Sequence, residues 1–133
     1  MSERFEIIIY TAAREDYADK MINMLDPSHK FVSHRLYRQH CVRYNGICIK
    51  DLRVLADRDV DDIIVVDNYC YSFAMNLENG VPIKPYVEGN EDEELKFLAE
   101  RLSMMDEDES AIQFVYENFG LDQFYSYLEG GVY

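Results

Sequence analysis

Polar residues stand at the ends of three largely apolar runs of the chain, and their side chains are of types that bind phosphate or Mg²⁺. They are Thr11, Lys50, Asp67 and Asn68, and the runs before them are residues 5–10, 47–49 and 63–66. In open α/β sheets, ligands bind at the carboxyl ends of the strands. A hydroxyl can bond a phosphoryl oxygen, an ammonium can neutralise developing charge, and carboxylate and amide oxygens can hold Mg²⁺. Taken singly, Thr11 is more typical of a helix cap and Lys50 of a surface lysine, so only their joint placement favours a site.

The elements that must position these residues follow from the hydrophobic pattern. Residues 63–66 are four consecutive β-branched residues bounded by acids, which predicts a short strand buried on both faces between helix layers. Residues 5–10 predict a second strand of this kind. A helix is predicted after Thr11, with Thr11 as its cap and an apolar face of Ala18, Met21, Ile22 and Leu25. Asn45-Gly46 predicts a hairpin turn between residues 41–44 and 47–49.

The second half of the chain predicts one edge strand and further helices. Residues 81–83 predict a short strand that Pro82 confines to a sheet edge or a strand start. Acidic runs at residues 91–94 and 106–109 suit helix starts, where the helix dipole favours negative charge. We interpret these runs as solvated helix starts and not as metal sites. Gly120 predicts the end of the last helix, with a final apolar turn within residues 124–128.

Length, charge and cysteine content restrict the function classes. A chain of 133 residues fits one domain with a real core. The net charge of −13 disfavours direct nucleic acid binding, and the basic stretch at residues 30–43, with Arg35 and Arg38, suits a phosphorylated peptide better than a duplex. Cys41, Cys48 and Cys70 lack zinc spacing, which favours reduced thiols in an intracellular, reducing compartment. No apolar run is long enough for a membrane span, and we expect no cleavable leader before the first strand.

Three long segments together resemble a known phosphatase family. They are FEIIIYTAAREDYADKMINMLD, RLYRQHCVRYNGICIKDLRVLADRDVDDIIVVDN and LENGVPIKPYVEGNEDEELKFLAERL, which cover roughly residues 5–105. In order and spacing they are similar to the Scp/Fcp-type, NLI-interacting-factor-like phosphatases of the haloacid dehalogenase (HAD) superfamily, which dephosphorylate the RNA polymerase II tail. The resemblance implies an α/β fold with a three-layer, Rossmannoid parallel sheet. It makes Thr11 the second-signature hydroxyl, Lys50 the third-signature lysine, and Asp67-Asn68 the magnesium-binding fourth signature.

The departures from the family pattern concern catalysis. The family's first signature is an Asp-x-Asp-x-Thr run whose first aspartate is the nucleophile and whose second is the general acid/base. The present sequence contains no such run, and Asp57-Arg58-Asp59 has the spacing but neither a preceding strand nor a threonine. Without those aspartates there is no covalent aspartyl intermediate, and Mg²⁺ loses its main carboxylate ligand. Tyr69-Cys70 replaces a usual Ser-Pro, and Gln39 a usual glutamate.

The missing signature also has a structural consequence. In this fold its strand is central, between the strands of residues 7–10 and 63–66, so we expect an incomplete HAD-like sheet. Residues 1–105 are then a truncated HAD-like domain, and residues 106–133 a helical extension of it. Unpaired apolar strands are costly and prone to aggregate. We therefore expect a protein partner that supplies the strand or covers the gap, although closure of the two strands on each other and a fragmentary chain are open alternatives.

Three functions are consistent with this sequence. The first is a phosphatase-like subunit or scaffold, inactive by itself, for which the family's mitochondrial presequence-translocase member is a precedent. The second is a Mg²⁺-dependent protein serine/threonine phosphatase whose Asp-x-Asp-x-Thr segment comes from another chain or was removed from this one. The third is phosphopeptide binding without turnover through Thr11, Lys50, Arg35 and Arg38. Cytoplasm or nucleus is the expected location, and membership of a mitochondrial complex stays open.

Overall fold

The computed structural model of the chain describes residues 4–84 and 93–119. The chain divides into two compact units, Met1–Lys50 and Asp51–Tyr133. Our expectations for residues 85–92, for Gly120 and for the turn at residues 124–128 lie outside the described residues. Among the helices that are described, none combines the length and the apolar character needed to cross a bilayer.

The first unit begins with a parallel β-α-β arrangement. Strand β1 (Ile7–Tyr10) is followed by helix α1 (Glu15–Leu25) and by strand β2 (Val32–Leu36). The two strands pair in parallel, with Ile9 opposite Arg35 and Tyr10 opposite Leu36. A crossover helix is the usual connection between parallel strands, so the predicted strand and helix are confirmed here as one supersecondary unit.

The core of this unit lies between α1 and the β1–β2 pair. Ala18, Ile22 and Tyr37 are buried, and the partly buried Ile9, Ala13 and Val32 pack against them. Of the predicted apolar face of α1, only Ala18 and Ile22 are buried, whereas Met21 is 45% and Leu25 is 79% exposed. A single two-stranded sheet is too narrow to cover a wide helix face. The helix was therefore predicted correctly, and the extent of its buried face was not.

Two hydrogen-bonded carboxylates fasten α1 to the residues around it. At its C-terminal end the buried Asp26 carboxylate accepts the backbone N–H groups of Lys30, Phe31 and Val32 at 3.0–3.1 Å. Along its side, the Asp19 carboxylate accepts hydrogen bonds from the Tyr37 hydroxyl and from Arg35. Both carboxylates tie the helix to β2 and to the residues beside it.

The hairpin predicted from Asn45-Gly46 is confirmed. Strands β3 (Val42–Tyr44) and β4 (Ile47–Ile49) pair antiparallel, with Tyr44 opposite Ile47. Asn45 and Gly46 both have positive φ, at 50° and 79°. That is the conformation of a two-residue type I′ turn, whose twist matches the flanking strands.

The second unit contains the other parallel pair. Strands β5 (Val65–Asp67) and β6 (Gly80–Pro82) pair with Val65 opposite Gly80 and Asp67 opposite Pro82. The strand predicted at residues 81–83 is thus confirmed one residue earlier, and its proline lies at the end of a strand in a two-stranded sheet. The strand predicted at residues 63–66 is shifted, and Val66 is 37% exposed. Our expectation of burial on both faces is therefore wrong for the described residues.

The described part of the second unit also contains helices α2 (Glu94–Ser103) and α3 (Ala111–Asn118). Helix α2 begins at Glu94, the last residue of the predicted acidic run 91–94, and α3 begins two residues after the run 106–109. Ser110 caps α3 by accepting the Gln113 N–H. Helix α3 packs against the short 3-10 turns Val60–Asp62 and Leu77–Asn79. Among the described residues of this unit, the largest fully buried side chains are Phe73, Phe114, Val81 and Asn79.

The buried amide of Asn79 fixes the approach to β5. Its Nδ2 donates to the carbonyl oxygens of Val60 and Ile63, both at 2.7 Å. Two backbone acceptors that precede β5 are thereby satisfied from the residue that precedes β6. Since unpaired buried carbonyls cost free energy, this amide holds the two chain segments in register.

Candidate phosphate site

Thr11 lies at the carboxyl end of β1, in the turn that leads toward α1. Its backbone N–H donates to the Leu36 carbonyl at 2.9 Å, which extends the strand pairing by one residue. Its Oγ1 accepts the Ala13 N–H at 3.0 Å. Helix α1 begins four residues later, and the residue before it, Arg14, makes no side-chain cap bond. The predicted role of Thr11 as the cap of α1 is therefore wrong. Its oxygen accepts a bond within the turn before the helix, and its O–H group can still donate a hydrogen bond.

Arg38 is fastened to the same turn. Its backbone N–H donates to the Ala13 carbonyl at 3.1 Å, and its Nε donates to the Ala12 carbonyl at 2.8 Å. The side chain is otherwise exposed. A guanidinium carries five N–H donors, and the bond to Ala12 uses only the one on Nε. Thr11 and Arg38, which were predicted separately, are thus brought to one three-residue turn.

Unlike Arg38, Arg35 has a guanidinium that bonds to other side chains of the first unit. Its guanidinium lies 3.0 Å from the Asp19 carboxylate and 2.9 Å from the Asn23 side-chain oxygen, and it also contacts His29. The side chain is only 17% exposed. These contacts give Arg35 a structural role between β2 and α1. Its predicted contact with a phosphorylated substrate stays a prediction.

The pKa values of two side chains near Arg35, those of Asp19 and Tyr37, are shifted. The hydrogen bond from Tyr37, followed by that from Arg35, lowers the pKa of Asp19. The same hydrogen bond, together with burial, raises the pKa of Tyr37. At neutral pH the pair is therefore an ionised carboxylate and a neutral phenol, which is the form that holds α1 in place.

Lys50 follows β4 at the open end of the hairpin. Val42 lies opposite Ile49, so continuing the same pairing by one residue places Lys50 opposite Cys41. Cys41 in turn directs its sulfur at the Thr11 carbonyl oxygen, at 3.9 Å. The positive charge of Lys50 acts on this thiol and partly opposes the increase of its pKa. Lys50 and Thr11 are therefore both neighbours of Cys41 within the first unit.

Asp67 and Asn68 end β5 in the second unit. Asp67 is buried, and its Oδ1 accepts the Tyr69 N–H at 2.9 Å, which forms an Asx turn at the strand end. Its backbone carbonyl accepts the Ile83 N–H at 3.2 Å. Asn68 is exposed. The predicted placement at a strand end is confirmed, while a pocket that joins Asp67 to Thr11 and Lys50 stays a prediction.

The donors at β5 fit only part of a magnesium site. Asp67 supplies one carboxylate and Asn68 one amide oxygen, and Mg²⁺ combines one or two carboxylates with retained waters. Within residues 4–84 and 93–119, no three or more His, Cys, Asp or Glu side chains are arranged to hold a metal ion. Asp67 and Asn68 would be the residues of this chain that contribute to such a site, where Mg²⁺ neutralises phosphoryl charge.

The sequence reasoning missed Cys41 and Tyr10 as parts of this region. The Tyr10 hydroxyl donates to the His40 carbonyl at 2.6 Å, and so it fastens the end of β1 to the short 3-10 turn Arg38–His40. The position of Cys41 opposite Lys50 could have been predicted, because a two-residue turn at Asn45-Gly46 fixes the pairing of residues 41 and 50. No pattern pointed to the Tyr10 contact, which joins residues 30 positions apart.

Comparison with known proteins identifies the family of this chain. A family model described as NLI interacting factor-like phosphatase matches residues 1–113. The chain belongs to this family. It is 39% identical over 126 residues to CTD small phosphatase-like protein 2 of Dictyostelium discoideum, a match that covers 95% of this chain and 22% of that protein.

Two further relatives have different names. The phosphatase-like chain is 43% identical over 95 residues to CTD small phosphatase-like protein 3 of Caenorhabditis elegans, which covers 71% of this chain and 33% of that protein. It is 33% identical over 105 residues to the mitochondrial import inner membrane translocase subunit TIM50 of Candida glabrata, which covers 79% and 21% respectively. The chain thus spans a third or less of the length of each of these relatives. The resemblance to the phosphatase family is confirmed.

Proposed function

We propose that residues 1–133 act as a phosphatase-like subunit or scaffold that binds protein partners and does not turn over substrate by itself. The observation that carries this proposal is the turn after β1, where Thr11 keeps a hydroxyl donor and Arg38 is anchored by Ala12 and Ala13. Lys50 is brought near the same turn through Cys41. These groups are donors and cations, which recognise a phosphoryl group.

The chemistry of these groups supports recognition without turnover. Hydrolysis through a phosphorylated aspartate needs one carboxylate that attacks phosphorus and one acid that protonates the leaving oxygen. Thr11 is the only threonine of the sequence, so no Asp-x-Asp-x-Thr run occurs within these 133 residues. Thr11, Arg38 and Lys50 can hold and neutralise a phosphoryl group, but none of them supplies the attacking carboxylate.

The exposure of the parallel strands supports a protein partner. All four residues of β1 are only partly buried, and Val66 in β5 is exposed. Parallel strands are normally covered on both faces, and an isolated two-stranded pair is marginal in stability. A partner segment that pairs with or covers these strands would bury this apolar surface. The TIM50 relative is a translocase subunit, which is consistent with a role of this chain inside an assembly.

The retained strand-end residues favour a second function, a split phosphatase. In that case a segment carrying Asp-x-Asp-x-Thr, supplied from outside residues 1–133, would complete a Mg²⁺-dependent protein serine/threonine phosphatase. Thr11 and Lys50 would then bind the phosphoryl group, and Asp67 and Asn68 would take part in binding Mg²⁺. Free Cys41 and Cys48 suit a reducing intracellular compartment for either function, and the TIM50 relative keeps a mitochondrial complex open.

The two arginines provide a matched test of phosphoryl recognition. Binding of a fluorescent phosphoserine peptide is measured for Arg38→Ala and Arg35→Ala, together with the thermal unfolding midpoint of each variant. Arg38→Ala is expected to weaken binding by about tenfold, the loss of one charge-assisted hydrogen bond, with little change in the midpoint. Arg35→Ala is expected to lower the midpoint, because it breaks the contacts with Asp19 and Asn23. Equal binding of the phosphorylated and unphosphorylated peptides would contradict the proposal.

A further inference from the structure

The β3–β4 hairpin carries two free cysteines on one face. Cys41 and Cys48 are both free thiols of intermediate exposure. Cys48 lies opposite Arg43, and Cys41 has an extended backbone two residues before Arg43. Residues two apart on an extended strand share a face, so Cys41 and Cys48 are diagonal neighbours across the hairpin. The Cys48 thiol is also a hydrogen-bonding neighbour of the Cys41 thiol.

The surroundings connect this pair to the candidate phosphate site. The Cys41 sulfur faces the carbonyl oxygens of Thr11 at 3.9 Å and Tyr37 at 3.8 Å. Lys50 lies two residues beyond Cys48 and acts on the Cys41 thiol through its charge. A change in the covalent state of these sulfurs therefore reaches the backbone that carries Thr11 and the strand that carries Lys50.

We propose that Cys41 and Cys48 are a redox-sensitive dithiol that peroxide closes to an intramolecular disulfide beside the Thr11 turn. Diagonal neighbours are about 7–8 Å apart, which is beyond the distance that a relaxed disulfide spans, so the hairpin backbone must shift to form the bond. A bond formed under such strain is readily reduced, which is a property of regulatory disulfides and not of structural ones. The short hairpin can accommodate the shift, because all three residues of β3 are exposed.

The two sulfurs have different tasks in the reaction. The Cys48 thiol gives up its proton, its sulfur attacks one oxygen of hydrogen peroxide, and the O–O bond breaks. Cys48 becomes a sulfenic acid, and the leaving hydroxide takes the released proton and departs as one water. The Cys41 sulfur then attacks the sulfenic sulfur, the S–O bond breaks, and the hydroxyl leaves as a second water with the Cys41 proton. Two electrons pass from the sulfurs to the peroxide. Burial, together with the neighbouring Cys48, raises the pKa of Cys41, which suits it to the second step.

The test uses the full chain with Cys70→Ser, which leaves only the two hairpin cysteines. The protein is treated with hydrogen peroxide, alkylated, and digested with trypsin without reduction. Cleavage after Arg38, Arg43 and Lys50 separates Cys41 and Cys48 into peptides 39–43 and 44–50. Mass spectrometry is expected to find these two peptides joined, with the mass of two hydrogens lost, and separated again by dithiothreitol. Full alkylation of both cysteines, sulfinic acid without joined peptides, or only intermolecular disulfides would overturn the proposal.

Single variants test the order of the steps. In Cys41→Ser the sulfenic acid on Cys48 has no resolving thiol, so dimedone is expected to label Cys48. In Cys48→Ser, dimedone is expected to leave Cys41 unlabelled. The reverse labelling pattern would overturn the assigned order.

A consequence for phosphoryl binding rests on the proposed function, whereas formation of the disulfide does not. Binding of inorganic phosphate to the oxidised chain is expected to be several-fold weaker than to the reduced chain. Joined peptides with unchanged phosphate binding would overturn the coupling to Thr11. Phosphate binding in neither form would contradict the proposed function, while the joined peptides would still establish the disulfide.

Discussion

Gly80 is the first residue of β6, the strand that pairs with β5. The structure predicts that Gly80→Ala lowers the free energy of unfolding. The backbone at Gly80 is ordinary extended chain, with φ −88° and ψ 131°. An alanine without steric conflict would therefore stabilise the protein by roughly 0.4–1 kcal/mol, because it restricts the unfolded chain. A Cβ at this position would lie 2.2 Å from two ring carbons of Phe73.

The magnitude follows from this overlap. Carbon atoms in contact are normally about 3.5–4.0 Å apart, so the Phe73 ring would have to retreat by more than an ångström. The Phe73 side chain is fully buried, which leaves it little room to move. Overpacking of this kind costs about 1–3 kcal/mol, and the overlap here belongs at the upper end. The stabilisation that alanine brings by restricting the unfolded chain is subtracted from this cost. Gly80→Ala is then expected to lower the free energy of unfolding by roughly 2 kcal/mol and the thermal unfolding midpoint by roughly 8 °C.

The assay is urea and thermal unfolding of a double-mutant cycle with Phe73→Leu. The smaller leucine makes space for the added methyl group, so the double variant should be more stable than the sum of the single effects predicts. Gly46→Ala serves as the control, because nothing lies within 4 Å of its Cβ position and its cost comes only from φ at +79°. It should show no coupling to Phe73→Leu. Stabilisation by Gly80→Ala, or strict additivity with Phe73→Leu, would refute the proposed contact.

Three further changes test the contacts that hold the two units in shape. Tyr37→Phe removes the hydroxyl that bonds Asp19 and should cost about 1 kcal/mol in urea unfolding at pH 7; an unchanged midpoint would speak against this bond. Backbone N–H bonds, that of Val32 first, lower the pKa of Asp26, so its stabilisation is present at neutral pH and is lost as the pH falls below about 4. Asp26→Asn should flatten this acid-side loss of stability, and an unaltered pH profile would contradict the assignment. Asn79→Ala leaves two buried carbonyls without donors and should cost about 2–4 kcal/mol; a loss below 1 kcal/mol would show that water replaces the amide.

Local patterns in the sequence predicted the elements that form within a short stretch of chain. The Asn45-Gly46 hairpin, the strand before Thr11 and the helix after it depend on turn chemistry and on hydrophobic periodicity. The strand ends that carry Thr11, Lys50 and Asp67 also follow from these patterns. That part of the candidate site could be read from the sequence, because a polar residue after an apolar run marks the end of a strand.

Contacts between distant residues could not be predicted in this way. Arg35 looked like part of a basic patch, and only the packing of α1 on β2 shows that Asp19 and Asn23 occupy it. Burial of β5 was overestimated, because a β-branched run reports what a strand prefers and not how much surface covers it in this chain. The contact of Cys41 with the Thr11 carbonyl likewise depends on how the hairpin folds back toward β1.

The most direct test of the central claim is Mg²⁺-dependent release of phosphate from a phosphoserine peptide. Residues 1–133 are assayed alone and after co-expression with a strand segment that carries Asp-x-Asp-x-Thr. No release above buffer is expected from the chain alone, since it lacks the attacking aspartate. If the second function applies, release appears on complementation and is lost in Lys50→Ala. Release by the chain alone that Asp67→Ala abolishes would contradict the claim that these residues recognise phosphate without turning it over.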